Sequence, residues 1–220
     1  MSSNNIKNSL SPARIGAYEA VVGGLAGAVQ TEKALNLYMW NAQVSSAFLV
    51  PLHLCEIVTR NAISDVLEIV YGPRWPWSVG FERSLPNPVY GFKPKDDLMS
   101  ARRNQSITGK VIPELKFVFW QKMLTSRFDR RLWHSHISTA FPNTIRLGLN
   151  QNQLRQKLYD DLEDIRILRN RIAHHEPIVL RNLQHDFKII KQLIAFRCEC
   201  TSEWMQSNQM LLPLLTLQPR

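Results

Sequence analysis

The sequence predicts an all-α fold, and two observations lead to this prediction. Apolar residues recur at steps of three and four through several long segments, as they do on the buried face of a helix. No segment alternates apolar and polar residues over the length that a half-buried strand needs, and no internal repeat appears. We therefore expect a helical bundle built around two long helices.

The N-terminal half contains two helix signals. Ser11 and Pro12 place a hydroxyl cap and a helix-starting proline before a short apolar pattern. Thr31 caps a much longer pattern that has Pro51 in its middle. Because proline removes a backbone hydrogen bond, the sequence predicts either one kinked rod over 31–71 or two abutting helices.

Residues 72–94 are predicted to form an irregular connection. They contain five of the twelve prolines, which disfavour regular structure. Their aromatic residues indicate that the connection packs on the helices and is not a free linker. Three shorter helices are expected after it, over about 95–104, 113–125 and 130–141.

The most regular helical pattern begins at Asn150. Its apolar residues share one face, and acidic residues occupy the other. Pro177 predicts that this helix ends at or near Glu176. A last helix is expected from about Leu183 to Met205.

Composition predicts one folded domain in a reducing compartment. With 45% hydrophobic residues, 220 residues can bury a substantial core, so we expect a single domain over 1–220 with flexible ends at about 1–10 and 209–220. Three cysteines without a Cys-x-x-Cys pair support neither a disulfide framework nor a zinc ribbon. No signal-peptide run is present, and no segment approaches the ~20 uninterrupted apolar residues of a membrane span. We expect a cytoplasmic protein without a membrane partner.

The net charge of +9 is concentrated in one region. Between Ala101 and Arg131, eight positive residues stand against two acidic ones, so +6 of the total lies there. This excess favours contact with RNA phosphates, and a solvated helical face is the open alternative. The predicted RNA-binding residues are Arg102, Arg103, Lys110, Lys116, Lys122, Arg127, Arg130 and Arg131.

Aromatic residues are interleaved with these positive charges. They could stack on bases, but aromatics at helical spacings more often pack in a core, and we favour that interpretation. The residues in question are Phe117, Phe119, Trp120, Phe128 and Trp133.

The densest polar cluster lies at the end of the Asn150 helix, where the sequence reads LRNRIAHHEP from Leu168. Histidine exchanges protons near neutral pH, and arginine is a permanent cation suited to phosphate oxygens. A base for the ribose 2′-hydroxyl, a cation for the crowded phosphate and an acid for the leaving 5′-oxygen suffice to cleave RNA without a metal or other cofactor. The alternative is that His174 and His175 only cap the helix C-terminus, whose partial negative charge favours imidazolium.

One helix alone does not bring this cluster together. At 100° per residue, Arg169 stands about 140° around the helix from His174. A two-fold dimer would supply a second copy of the motif, because an isologous interface places the same patch of both subunits face to face.

The string from Arg169 to Pro177 resembles the Arg-Asn-x-x-x-His motif of HEPN domains, and more closely the RNxxAHHEPI signature of Abi-like (abortive infection) bacterial proteins. Further segments resemble that family in the same order, so most of the chain is covered: 11–20, 35–48, 54–63, 71–75, 109–124 and 132–142. The resemblance implies an α-helical HEPN domain that dimerises with the motif at its interface. Active members are metal-independent endoribonucleases used in phage defence or toxin–antitoxin systems, which implies RNA and an antitoxin protein or RNA as partners.

Carried over residue by residue, Arg169 and His174 match the catalytic pair, and Asn170 matches the polar residue that supports them. His175 is the adjacent histidine. Many HEPN domains bind without cleaving, so a non-catalytic RNA-binding or protein-interaction module is the alternative function.

The earlier helix adds three supporting residues by the same resemblance. Glu56, Arg60 and Asn61 match positions that the family keeps polar, and we assign them to orienting the site. The alternative is a surface salt bridge between Glu56 and Arg60. Elsewhere His134 and His136 resemble a metal pair, but no third ligand is near them in the sequence, so we predict no metal site.

Overall fold

The computed structural model describes residues 2–24 and 27–219, and within these ranges it contains helices and no β-strand. The predicted all-α class is confirmed. The described chain forms twelve α-helices joined by short 3₁₀ and π turns: α1 (Ser3–Leu10), α2 (Pro12–Val22), α3 (Gly27–Tyr71), α4 (Val79–Ser84), α5 (Pro94–Arg102), α6 (Thr108–Val111), α7 (Phe117–Met123), α8 (His134–Ala140), α9 (Gln151–Ala173), α10 (Leu183–Arg197), α11 (Glu199–Asn208) and α12 (Leu211–Leu215).

The 45-residue helix α3 is the axis of the molecule. At 1.5 Å per residue it is about 68 Å long, and α2, α9, α10 and α12 all pack along it. Pro51 lies inside the helix without dividing it, so one continuous rod forms and the alternative of two abutting helices is wrong.

The predicted start of this helix at Thr31 is wrong. The helix begins at Gly27, and the Thr31 hydroxyl instead donates a hydrogen bond to Glu19 Oε1 at 2.8 Å. The prediction that the Ser11 hydroxyl caps α2 is also wrong, because Ser11 has a φ of 81° and its side chain makes no capping hydrogen bond.

Residues 3–10, which we expected to be flexible, form α1 and pack on α2 and α3. Lys7 Nζ lies 2.7 Å from Glu19 Oε1, which ties α1 to α2. This hydrogen bond, followed by that from Thr31, holds the pKa of Glu19 below its ordinary value. No local pattern indicates this pairing, since it joins residues that are twelve positions apart.

The 72–94 connection packs on the helices as predicted, although it also contains α4. Trp75 and Phe81 are fully buried and meet edge to face at 5.3 Å. The Trp75 indole N–H donates to the Ser64 hydroxyl at 3.1 Å, so the connection is anchored to α3. Beyond it, the predicted 113–125 helix is shorter than expected, because a 3₁₀ turn (Ile112–Glu114) precedes α7. The predicted 130–141 helix opens as a π turn before α8.

The C-terminal helices differ in length from those predicted. The helix predicted to begin at Asn150 is α9, and Asn150 caps it: its side chain accepts a hydrogen bond from the Gln153 backbone N–H, and the Gln153 side chain accepts one from the Asn150 backbone N–H. The expected Leu183–Met205 helix is interrupted at Cys198, whose extended backbone (φ −155°, ψ 113°) separates α10 from α11. The predicted C-terminal tail contains α12, and Trp40 Nε1 donates to the carbonyl of Leu214 at 2.9 Å.

In the part of the chain that the structure describes, α3 is one helix with the length and composition to cross a membrane. Its most apolar 18-residue stretch has a mean hydropathy of 1.3, and 33% of that stretch is buried inside the protein. The core helix of a soluble protein can meet the same criterion, so this property alone assigns no membrane location.

Candidate functional site

The polar cluster predicted from LRNRIAHHEP lies where α9 ends. Arg169 and Asn170 lie near its C-terminal end, and the helix ends at Ala173, three residues before the predicted Glu176. His174 follows as the cap residue, with its backbone N–H bonded to the carbonyl of Asn170 at 2.9 Å. The chain therefore leaves the helix within the motif itself.

A Schellman motif terminates this helix. The backbone N–H of Glu176 donates to the carbonyl of Arg171 at 2.8 Å, and that of His175 donates to the carbonyl of Ile172 at 3.1 Å. The pattern needs a left-handed residue at its turning point, and His175 has a φ of 55°. Glycine usually occupies that position because it has no Cβ.

Three contacts fix the turn after the helix. Arg14 Nη1 of α2 donates to the carbonyl of His175 at 2.7 Å. The buried Asn41 of α3 accepts a hydrogen bond from the Ile178 backbone N–H at 2.8 Å. Arg171 Nη1 donates to the carbonyl of Pro177 at 3.2 Å, so the strained turn is held from both sides.

Two grooves run between this helix end and the middle of α3. The larger has a volume of about 380 Å³ and presents no acidic or strongly basic side chain; its lining residues are Tyr38, Asn41, Ala42, Ser45, Ser46, Leu49, Ile172, Ala173 and His175. The smaller groove, of about 310 Å³, is lined by Leu49, Leu52, His53, Glu56, Arg169, Ile172 and Ala173. The smaller groove thus joins charged groups of both long helices.

The structure brings only some of the predicted site residues together. Arg169 and Glu56 line the same groove. Glu56 also faces Arg60 at 3.6 Å, so the salt bridge that we kept as the alternative for this pair is present. Asn61, one residue further along α3, is exposed and lies outside the lining of this groove.

The predicted catalytic residues are not joined within one chain. Arg169 and His174 are exposed, and Asn170 is half-buried. Within the described residues, no side-chain hydrogen bond or ion pair connects these three residues with one another. The imidazole of His174 is therefore free to meet solvent, a substrate or a second chain.

His53 is a further candidate, which lies far in the sequence from the LRNRIAHHEP segment. It lies on α3 one helical turn before Glu56 and lines the groove with Arg169. The spacing of three and four between His53, Glu56 and Arg60 places all three on one helix face, and this was the available signal.

The predicted RNA-binding region is less available than its charge suggests. Arg102 donates to Glu82 Oε2 at 2.6 Å and to the carbonyl of Pro76, and its hydrogen bond holds the pKa of Glu82 below its ordinary value. Lys116 pairs with Asp97 at 3.6 Å, and Lys122 donates to the Tyr159 hydroxyl at 2.8 Å. Half-buried Arg102 and Lys122 are largely committed to the fold.

Four of the eight predicted residues are exposed and make no side-chain hydrogen bond or ion pair within the described ranges: Arg103, Lys110, Arg130 and Arg131. The aromatics between them are buried, from Phe117 at 8% exposure to Phe119 at 0%. Their core interpretation is confirmed, and base stacking on them is excluded in this conformation.

The cysteines and histidines form no recognisable metal centre. Among the residues that the structure describes, no three His, Cys, Asp or Glu side chains converge as metal ligands. Burial raises the pKa of Cys55 to about 12, so this thiol stays protonated and packs as a small apolar group.

Comparison with known proteins adds no relative. No protein-family model matches the chain, and no curated protein or solved structure is significantly similar to it. A function can therefore be inferred only from the chain's own residues and their placement.

Proposed function

We propose that the protein is a metal-independent endoribonuclease of the HEPN type. The observation that carries the proposal is the groove in which Arg169 of α9 meets His53 and Glu56 of α3, beside the exposed His174. A permanent cation, a proton-transfer group and a carboxylate border one concave surface. These groups match the needs of phosphodiester cleavage.

In this mechanism the imidazole of His174 removes the proton from a ribose 2′-hydroxyl. The oxygen attacks the adjacent phosphorus, and the bond from phosphorus to the 5′-oxygen of the next nucleotide breaks. The leaving 5′-oxygen takes a proton from the protonated imidazole of His53, which lines the groove with Arg169, so the products are a 2′,3′-cyclic phosphate and a 5′-hydroxyl. Arg169 stabilises the extra negative charge on the phosphate oxygens, and Asn170 supports the pair. Glu56 and Arg60 orient the part of the site that α3 contributes, and His175 forms the turn that directly follows His174.

The proposed active form is a homodimer with the motif at the interface. The 380 Å³ groove beside the motif supports this proposal. Two copies that each carry a net charge of +9 repel one another, but this groove has no Lys or Arg in its lining, so two copies can meet there without like charges facing each other. Small side chains, Ala42 and Ser45, line it and allow close approach, and Leu49 is 54% exposed at its edge.

A Leu49→Lys variant should sediment as a monomer in analytical ultracentrifugation, while Ile69→Lys, at another exposed apolar position of α3, should not change the oligomeric state.

The decisive experiment incubates purified protein with RNA in excess EDTA. Wild type and His185→Ala, a control at an exposed histidine on α10, should produce fragments with cyclic phosphate ends. His174→Ala and Arg169→Ala should lose about 100-fold or more in rate. Intact RNA with wild type, or equal cleavage by His174→Ala, would refute the catalytic proposal.

Mixing two inactive variants tests whether the dimer builds the site. If Arg169 of one chain works with His174 of the other, each Arg169→Ala/His174→Ala heterodimer retains one complete site. Random exchange then restores about a quarter of the wild-type activity, because half of the dimers are mixed and each has one of two sites intact. No restoration, with exchange verified, would place both residues of a site on one chain.

The alternative function is a non-catalytic RNA-binding or protein-interaction module. It is favoured by the absence, within the described residues, of any hydrogen bond between the Arg169 and His174 side chains. Binding without cleavage, weakening steeply with salt, would support this alternative.

We place the cellular role of the nuclease in phage defence or as a toxin, held in check by an antitoxin protein or RNA. Expression of the wild type in bacteria should then arrest growth, and His174→Ala at equal protein level should not. Sequencing the cut ends of cellular RNA in both cultures would identify the substrate.

A further inference from the structure

A second polar pocket lies away from the motif, between α4 and the turns that precede α8. Its volume is about 400 Å³, and its lining residues are Gly80, Arg83, Ser84, Arg127, Phe128 and Arg131. Three of the six are arginines, and none is acidic. Arg83 lies outside the basic region that the sequence analysis identified.

One of these arginines is held in place by the backbone. Arg127 Nε donates to the carbonyl of Ser84 at 2.8 Å, which links the turn after α7 to the end of α4. That bond uses the inner nitrogen of the guanidinium and leaves the two terminal nitrogens as donors. Phe128, which follows Arg127, is only 2% exposed, and its buried side chain anchors the backbone beside Arg127.

The acidic residues nearest in sequence are paired elsewhere. Glu82, which precedes Arg83, binds Arg102 at 2.6 Å and Lys95 at 3.2 Å. Asp129, which follows Phe128, binds Arg155 Nε at 2.9 Å. Within the described residues, Arg83 and Arg131 have no carboxylate partner, so the positive charge of the pocket is not neutralised by the protein.

We propose that this pocket binds a phosphate group. Guanidinium groups present paired N–H donors that match phosphate oxygens, and three of them around one concave surface repel one another until an anion enters. The pocket is separate from the proposed catalytic groove: Arg155, which holds Asp129 at the pocket edge, precedes Arg169 by fourteen residues, or about 21 Å along α9. The inference goes beyond the proposed nuclease and does not depend on cleavage.

The phosphate can belong to an RNA strand or to a small phosphorylated molecule. Isothermal titration calorimetry in chloride buffer would use two probes: inorganic phosphate, and a 5′-phosphorylated RNA pentamer with 2′-O-methyl riboses, which cannot be cleaved through the 2′-oxygen. The variant is Arg83→Gln/Arg131→Gln, which leaves the Arg127 contact to Ser84 intact. The control with the same loss of charge is Lys33→Gln/Lys188→Gln, at exposed positions outside both the pocket and the predicted RNA-binding region.

We expect at least one probe to bind the wild type and the control alike, and the pocket variant to bind it about tenfold or more weakly. If inorganic phosphate competes with the RNA, the pocket holds a strand phosphate; if it binds without competing, the ligand is a small phosphorylated molecule. The proposal is overturned if neither probe binds the wild type, or if both double variants lose affinity equally. Because the probe RNA is uncleavable, an inactive nuclease would leave this outcome unchanged.

Discussion

At the turn after α9, His175 occupies a backbone conformation that suits glycine. Its φ of 55° places it in the left-handed region, and two backbone hydrogen bonds of the Schellman motif hold it there. A residue with a Cβ pays about 1–2 kcal/mol in that region. This strained residue lies directly after His174, where the chain leaves α9, which is consistent with a constrained position for His174.

His175→Gly should therefore stabilise the fold. We expect the free energy of unfolding to rise by about 0.5–1 kcal/mol, since relief of the left-handed strain exceeds the greater entropy of unfolded glycine. Urea denaturation would measure it. His175→Ala is the control, because alanine keeps the Cβ; if the glycine variant were no more stable than the alanine variant, the turn would not be strained.

The same cleavage assay separates structure from chemistry at this position. His175→Gly keeps the turn and removes the imidazole, so in the nuclease proposal its activity should stay within about threefold of wild type, far from the loss expected for His174→Ala. A loss as large as that of His174→Ala would assign the proton-transfer role to the pair of histidines.

Residue types near the site were readable from the sequence, but their grouping was not. The adjacent histidines and Arg169 stood out as a string, whereas His53 is separated from Arg169 by more than a hundred residues. Only the packing of α9 on α3 places them around one groove.

At the scale of elements, the contact between the two longest helices contains a buried carboxylate. Asp161 of α9 is 8% exposed and accepts hydrogen bonds from Lys157 at 2.8 and 3.1 Å. Burial nevertheless dominates and raises the pKa of Asp161 above its ordinary value. Ionised Asp161 therefore costs folding free energy at neutral pH, and that cost disappears as the pH falls below both its folded and unfolded pKa values.

The stability of Asp161→Asn relative to wild type should rise with pH. Between about pH 3 and pH 7 the variant avoids the growing cost of ionisation, so the difference in unfolding free energy should move in its favour across that range. Urea denaturation at several pH values would follow it. Asp160→Asn, at an exposed neighbouring position, is the matched control; an equal pH trend in both variants would contradict the assignment to burial.

Helix boundaries were harder to predict than helices. Pro51 suggested a bend or a break in α3, yet one helix continues through it, and packing against α2, α9, α10 and α12 stabilises that helix. The break that does occur, at Cys198, has no proline or glycine beside it. Tertiary packing decides both cases, since helix propensity differs by less than about 1 kcal/mol among ordinary residues and by only about 3 kcal/mol for proline.

For the whole molecule, the net charge of +9 overstates what a nucleic acid can contact. Four of the eight predicted RNA-binding residues are engaged within the protein, by carboxylates, a hydroxyl or backbone carbonyls. A cation already paired with a carboxylate releases little free energy when it meets a phosphate. RNA affinity should then depend on the free cations.

The salt dependence of RNA binding measures that number. Four phosphate contacts to a single strand predict a slope of log K against log salt near −3, whereas eight would give about −6. Fluorescence anisotropy with the 2′-O-methyl RNA, at several chloride concentrations between about 50 and 300 mM, would determine the slope. Arg103→Gln/Lys110→Gln should reduce the slope by about 1.4, and an unchanged slope would exclude those residues from the interface.

The sequence by itself determined the all-α class, the two long helices, the buried role of the aromatics and the chemical character of the RNRIAHHEP segment. These follow from local periodicity and residue type, which depend little on the rest of the chain. The tertiary structure alone decided that residues 3–10 are helical, that His53 joins Arg169, and that Arg83 completes a pocket with Arg127 and Arg131. Each of these depends on contacts between residues distant in sequence, whose partners no local pattern specifies.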